Sequence, residues 1–141
     1  MIVVTIITAL ITIVMCSIFD DRYWGFYPAK IWSKFAAYFA FVRVKIVGKE
    51  LIDPKQSYVF VANHQSLFDI FAIYGWLNTP FKWIMKKELE KIPFVGKACK
   101  SAGHIFISRG QNKAALQSIE DAKKKLTKGL SVVIFPEGSR T

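Results

Sequence analysis

Cysteine and histidine are both scarce in this 141-residue chain, with two of each. The cysteines, Cys16 and Cys99, lie far apart, which excludes a disulfide framework and a four-cysteine zinc site. Two histidines exclude a histidine-rich metal centre. Acidic residues are few as well, 10 against 20 Lys and Arg. The resulting charge of +10 points to an anionic partner, which can be nucleic acid, a phospholipid surface or a phosphorylated substrate. Internal repeats and low-complexity linkers are missing. What is abundant excludes a disordered chain: 52% of residues are hydrophobic, 15% are aromatic, and the mean hydropathy is +0.28. The length suits one domain, or one domain and a membrane segment.

Charge is wholly absent from residues 1–19. As a helix this segment would extend roughly 28 Å, close to the ~30 Å hydrocarbon core of a bilayer. Its Ile, Val and Leu content favours insertion. A cleaved signal peptide fits less well, because a basic n-region and a small-x-small site before Asp20 are lacking. A buried core segment is the alternative. Tyr23, Trp24, Phe26, Tyr27 and Trp32 follow as an aromatic belt would, and Lys30, Lys34, Arg43 and Lys45 come next. The positive-inside rule then expects the bulk of the chain on the cytoplasmic side of a membrane. Residues 31–42 read as an interfacial or re-entrant helix. The expected division is a membrane-anchoring or interfacial region, 1–42, and an α/β domain, 43–141.

From Arg43 onward strand and helix signals alternate. Short apolar runs at residues 43–47, 57–62, 82–85, 105–107 and 131–135 read as strands. Residues 66–77 read as a helix packed on both faces. Residues 111–127 give the clearest helix, with Ala115, Ile119, Ala122 and Leu126 on one face and Gly129 as C-cap. The alternation argues for an α/β layer fold with an N-terminal hydrophobic membrane helix.

Chemistry gathers at three strand ends. The first is Asn63-His64-Gln65-Ser66-Leu67-Phe68-Asp69. On an ideal helix His64 and Asp69 would lie about 140° apart and would not meet. They meet if His64 is in the loop, Ser66 is the N-cap and Asp69 is at N3. His64 would then face the cleft at the strand's carboxyl end, where α/β folds bind ligands. Asp69 could hold one ring nitrogen and raise the basicity of the other. Alternatively, Ser66-x-x-Asp69 is a capping box and nothing more.

The second strand end runs from Gly103 to Ser108 and delivers Arg109. The third is Phe135-Pro136-Glu137-Gly138-Ser139-Arg140. Gly138 permits close backbone approach to a ligand, Ser139 supplies a hydroxyl, and Arg140 offers a planar fork for phosphate. Singly, each arginine reads as a solvated surface residue. Together and in this order, the three strand ends suggest a phosphate beside a general base.

These blocks, with Lys86-Lys87-Glu88-Leu89 and Ile92-Pro93-Phe94-Val95-Gly96 between the first two, resemble those of the glycerolipid acyltransferase family. HxxxxD alone is weakly specific, whereas HxxxxD followed by FPEGSR is strongly so. The resemblance spans residues 43–141. It implies transfer of a fatty acyl group from an acyl-CoA or acyl carrier protein thioester to the free hydroxyl of lysophosphatidate, giving phosphatidate. His64 would be the general base and Asp69 would orient it. Arg109, Glu137, Gly138 and Arg140 would hold the glycerol phosphate, and Asn63, Ser139 and Phe135 would shape the site. A metal or a bound cofactor is not implied. Other readings are another lysophospholipid or an amino-acid lipid as acceptor, or a non-catalytic membrane-anchored module that binds anionic lipid.

The family normally continues past this third block with a further strand and a proline-containing block, so the chain reads as an N-terminal fragment. Cys99 sits in a basic stretch, but its neighbour His104 has no evident acid partner, so a cysteine mechanism is not expected. Lys123, Lys124 and Lys125 form a basic run without a nucleic-acid recognition motif, and no nucleic-acid partner is expected.

Overall fold

The computed structural model describes residues 1–107, 120, 123–124 and 129–136. Four strands form one parallel sheet: β1 (Val59–Val61), β2 (Phe81–Lys86), β3 (Ile105–Ile107) and β4 (Ser131–Ile134). Their spatial order is β1-β4-β2-β3. Phe60 pairs with Val133, Trp83 with Val133, and Ile84 with Ile105. Because all strands run the same way, their carboxyl ends share one edge, and the segments after β1, β2 and β4 emerge together.

Among the described residues, five complete α-helices accompany the sheet: α1 (Ile2–Ile18), α2 (Asp21–Trp24), α3 (Tyr27–Phe39), α4 (Leu67–Trp76) and α5 (Val95–Ser101). Parallel neighbours require crossovers, and α4 and α5 lie on those leading to β2 and β3. A 3₁₀ turn, Lys87–Lys91, precedes α5. Residues 81–83 of β2 and 131–133 of β4 are buried on successive positions, as the centre of a parallel sheet demands. Phe26, Tyr74, Phe81, Trp83 and Val133 form the main core.

The N-terminal helices are packed onto this core. Small residues Ser33, Ala36 and Ala37 are the buried face of α3, and α3 packs against α4. Beside them, Lys82 is a buried lysine at 2% exposure. Its ammonium donates to the main-chain oxygens of Asp21 at 2.9 Å and Ala102 at 2.6 Å, and pairs with the Asp21 carboxylate at 3.2 Å. A buried charge needs such a set of partners. Gly103, at φ +72°, leaves room for the Asp21 carboxylate where a side chain would collide. The start of α2 is thereby fastened to the turn that leads into β3.

Several expectations change. Residues 43–47 are not a strand, because no strand among the described residues pairs with them. Helix α5 was not expected from the sequence, since seven residues containing Gly and two Lys carry no clear apolar period. Phe26, assigned to an aromatic belt, is 1% exposed and central to the core. The helix expected at residues 31–42 begins earlier, at Tyr27, with Pro28 in its first turn. Most of the helix expected at 111–127 lies outside the described residues.

Among the described residues, no helix is long and apolar enough to cross a membrane. Helix α1 stops after 17 residues, about 25 Å, because Phe19 turns extended and Asp20 caps α2. One side of α1, marked by Ala9 and Thr12, is buried, and the helix packs on α5 and α3. Ile2, Val3, Ile7, Leu10, Val14 and Ile18 on α1 remain exposed.

Candidate active site

The connection from β1 to α4 carries His64. Ser66 is the N-cap of α4, accepts from the Phe68 amide at 3.2 Å, and completes a capping box with Asp69 at N3. Oδ2 of Asp69 also accepts from the Gln65 amide at 2.8 Å and lies 3.1 Å from Nδ1 of His64. The loop geometry expected from the HxxxxD spacing is therefore present, and one carboxylate serves as both cap and imidazole partner.

Partial burial pushes the Asp69 carboxyl up, but the Ser66 and Gln65 amides and the His64 ring outweigh this and hold it below its ordinary value. An ionised carboxylate can only accept, so the proton of His64 sits on Nδ1. In the neutral ring Nε2 then carries the lone pair, and no described residue hydrogen-bonds it. The ring is stacked on Phe135, centroids 4.1 Å apart and planes 10° from parallel. Phe135 in turn packs on Trp83 at 5.1 Å. The ends of β1 and β4 thus fix the position of the imidazole, and Asp69 on α4 fixes its tautomer.

His64 lines a cavity of about 620 Å³. Ala29 and Trp32, Ile70 and Phe71, and Val95 and Ala98 line it from three sides, and the wall is overwhelmingly apolar. Helix α1 closes another side with Thr5, Thr8, Ala9 and Thr12. The hydroxyls of Thr8 and Thr12 are turned back onto main-chain oxygens of their own helix, at 2.8 and 2.9 Å.

Of the residues singled out from sequence, His64, Asp69 and Phe135 come together. Asn63 sits exposed on the same connection. Arg109, Glu137, Gly138, Ser139 and Arg140 lie outside the described residues. The structure adds Lys86, which ends β2 and lines the cavity with His64. Its place just past a short apolar run was the available signal. It also adds His104, buried with Tyr74 and Trp83 in the cavity wall. Cys99 lines the cavity too, and burial pushes its thiol up to about 11, which leaves it a poor nucleophile. Among the described residues, no three His, Cys, Asp or Glu side chains gather to hold a metal ion.

A family model described as "Acyltransferase" matches residues 43–141. The chain belongs to the acyltransferase family. It is 37% identical over 102 residues to a 1-acyl-sn-glycerol-3-phosphate acyltransferase of Chlamydomonas reinhardtii, covering 72% of this chain and 30% of that protein. A protein of the same name from Helicobacter pylori is 42% identical over 82 residues, covering 58% of this chain and 35% of its own length. The chain thus spans about a third of the curated relatives it matches. The crystal structure of the 1-acyl-sn-glycerophosphate acyltransferase PlsC from Thermotoga maritima superposes with a TM-score of 0.71 at 27% identity. That match covers 99% of this chain, N-terminal helices included, and 61% of PlsC. The α/β sheet and the helices packed on it are thus arranged alike in this chain and in PlsC.

Proposed function

We propose that the chain carries the catalytic base of an O-acyltransferase that moves a fatty acyl group from a thioester to the free hydroxyl of lysophosphatidate, giving phosphatidate. One observation carries the reading: a His64–Asp69 pair, tautomer fixed, opens on an apolar cavity. A hydrophilic acceptor alone would not need such a cavity, whereas an acyl chain does. The names of the relatives support the acceptor, and acyl-CoA or acyl carrier protein supplies the acyl group.

Nε2 of His64 removes the proton of the acceptor hydroxyl as its oxygen attacks the thioester carbonyl. The Asp69 carboxylate stabilises the imidazolium that forms. The tetrahedral intermediate collapses with loss of the thiolate, which takes the proton from His64. The product ester and free thiol leave without an acyl-enzyme. A base so placed contributes about 10²–10⁴-fold, and positioning of the two substrates supplies much of the remainder. Arg109, Glu137, Gly138 and Arg140, which follow β3 and β4 in sequence, hold the glycerol phosphate, with Lys86 as a further cation at this edge. Asn63 and Ser139 shape the surroundings, and the chemistry needs neither a metal nor a bound cofactor.

The site works at a membrane. The exposed apolar side of α1, together with Ile31, Phe35, Tyr38 and Phe39 on α3, forms a surface suited to the acyl boundary of one leaflet. Lys30 and Lys34 on α3 and the net charge of +10 favour anionic headgroups. The cytoplasmic leaflet fits this charge.

The deciding assay is conversion of lysophosphatidate to phosphatidate by membranes carrying this chain, beside His64→Ala, with each donor offered separately. Product formed by the chain and abolished in the variant is expected. Equal product from both overturns His64 as the base, and anionic-lipid binding without turnover in either overturns the reading in favour of a lipid-binding module.

A further inference from the structure

A second apolar recess, about 560 Å³, lies between the start of α1, the end of α3 and the segment around Phe94. It shares Thr5, Trp32, Phe71 and Val95 with the cavity that contains His64, so these four residues are the partition between two compartments. We propose that this groove holds the acyl chain already present on the acceptor, while the His64 cavity holds the chain being transferred. The assignment rests on the acyltransferase reading above.

The reaction brings two hydrocarbon chains to one base, and the two compartments match that number. The groove's lining carries no charged side chain, so it suits an alkyl chain. The polar groups of the partition are satisfied by one another. Nε1 of Trp32 donates to Oγ1 of Thr5 at 3.0 Å, and that hydroxyl donates to the Met1 main-chain oxygen at 3.0 Å. Phe71 stands edge-on to Trp32 at 4.9 Å and stiffens the wall. The first turn of α4 is the common border, because Leu67 lines the cavity and Phe68 lines the groove. Phe68 follows His64 by four residues, so their backbones are at most about 14 Å apart. An amphiphile can therefore lay its chain in the groove and still present a hydroxyl to His64. Exposed Ile2, Phe39 and Phe94 surround the groove, so a chain can enter from the lipid side.

Two photoreactive probes test this, each with a diazirine at the end of its hydrocarbon chain. One is a lysophosphatidate, the other an acyl-CoA, and both are applied to the chain in vesicles, with unlabelled parent compound as competitor. Mapped to single residues, the acceptor probe is expected to label Phe39 or Phe68, and the donor probe Leu89 or Cys99. Labelling of the same residues by both probes, or of residues that line only the cavity by the acceptor probe, overturns the assignment. Failure of both parents to compete would overturn the acyltransferase reading itself. A kinetic arm asks the same question. Ala40→Phe, which narrows the groove, should lower the long-chain over short-chain preference for lysophosphatidate roughly tenfold, as expected for two excluded methylenes. Phe39→Ala, at an exposed position that widens the groove, should shift the preference toward longer acceptors. Loss of the same factor on both acceptors, or no shift in either variant, counts against the groove.

Discussion

His64 and His104 line the same cavity, yet they stand at opposite ends of parallel strands and have opposite surroundings. His64 follows the carboxyl end of β1, and its Nδ1 faces a carboxylate. His104 precedes the amino end of β3 and faces neutral groups. Its Nδ1 accepts from the Trp83 amide at 3.1 Å, so its proton lies on Nε2 and is donated to the Tyr74 hydroxyl at 2.7 Å. Burial raises the Tyr74 phenol well above its ordinary value, so that partner stays neutral. One imidazole has a nitrogen that no described residue engages, and the other has both nitrogens occupied. Lining a cavity does not by itself suit a histidine to act as a base; the proposed role of His64 rests on its charged partner and on the nitrogen that no described residue engages.

Exchanging the roles of the two histidines should fail, in a graded way. His64→Ala should reduce turnover by about 10²–10⁴-fold with little change in melting temperature, measured by phosphatidate formation and thermal unfolding. Asp69→Asn keeps the size of the side chain but removes the charge that favours the Nδ1–H tautomer. It should cost roughly 10²-fold in kcat, and its pH–rate profile should shift relative to the parent. His104→Ala should act on stability, by about 2–3 kcal/mol, because it leaves the buried Trp83 amide and Tyr74 hydroxyl without partners. Denaturant titration reads this, and residual activity per folded molecule should stay close to the parent's.

The smallest effects concern the cap. Ser66→Ala should cost about 1 kcal/mol of stability and only modestly affect turnover. Asp69 also gives the molecule a pH signature. Its folded carboxyl lies below the ordinary range, so its contribution is complete above that range and fades as pH falls through the depressed folded value. Asp69→Asn should flatten this part of the acid limb in pH-dependent unfolding, whereas His104→Ala should leave it in place.

The HxxxxD turn was legible because its geometry is local. Ser66, Asp69 and His64 lie within six residues, and helix N-terminal capping dictates where each must go. Parallel strands were legible where apolar runs are short and bounded by turn residues, as at 105–107 and 131–135. The run at 43–47 looks similar in composition but lacks a partner, and a strand exists only by pairing. Phe135 was placed near the site from its motif, but its face-to-face stacking on His64 depends on the β1–β4 register. Lys82 gave no sequence signal at all, because one buried lysine in an apolar strand is recognised only by the oxygens around it. Helix α1 was read correctly as apolar, and its shortness follows from where Phe19 and Asp20 break it.

The amino-acid sequence by itself determined the family, the α/β alternation, the capped turn bearing His64 and Asp69, and an apolar N-terminus. These follow from residue types at short spacings, where chain connectivity alone limits the geometry. Only the tertiary structure decided that the N-terminal helices wall the cavity, that Phe26 belongs to the core, and that Lys82 fastens the two parts. Those outcomes depend on which surfaces meet across long stretches of chain, and hydrophobic burial is non-directional: it requires apolar faces to be covered without specifying by what.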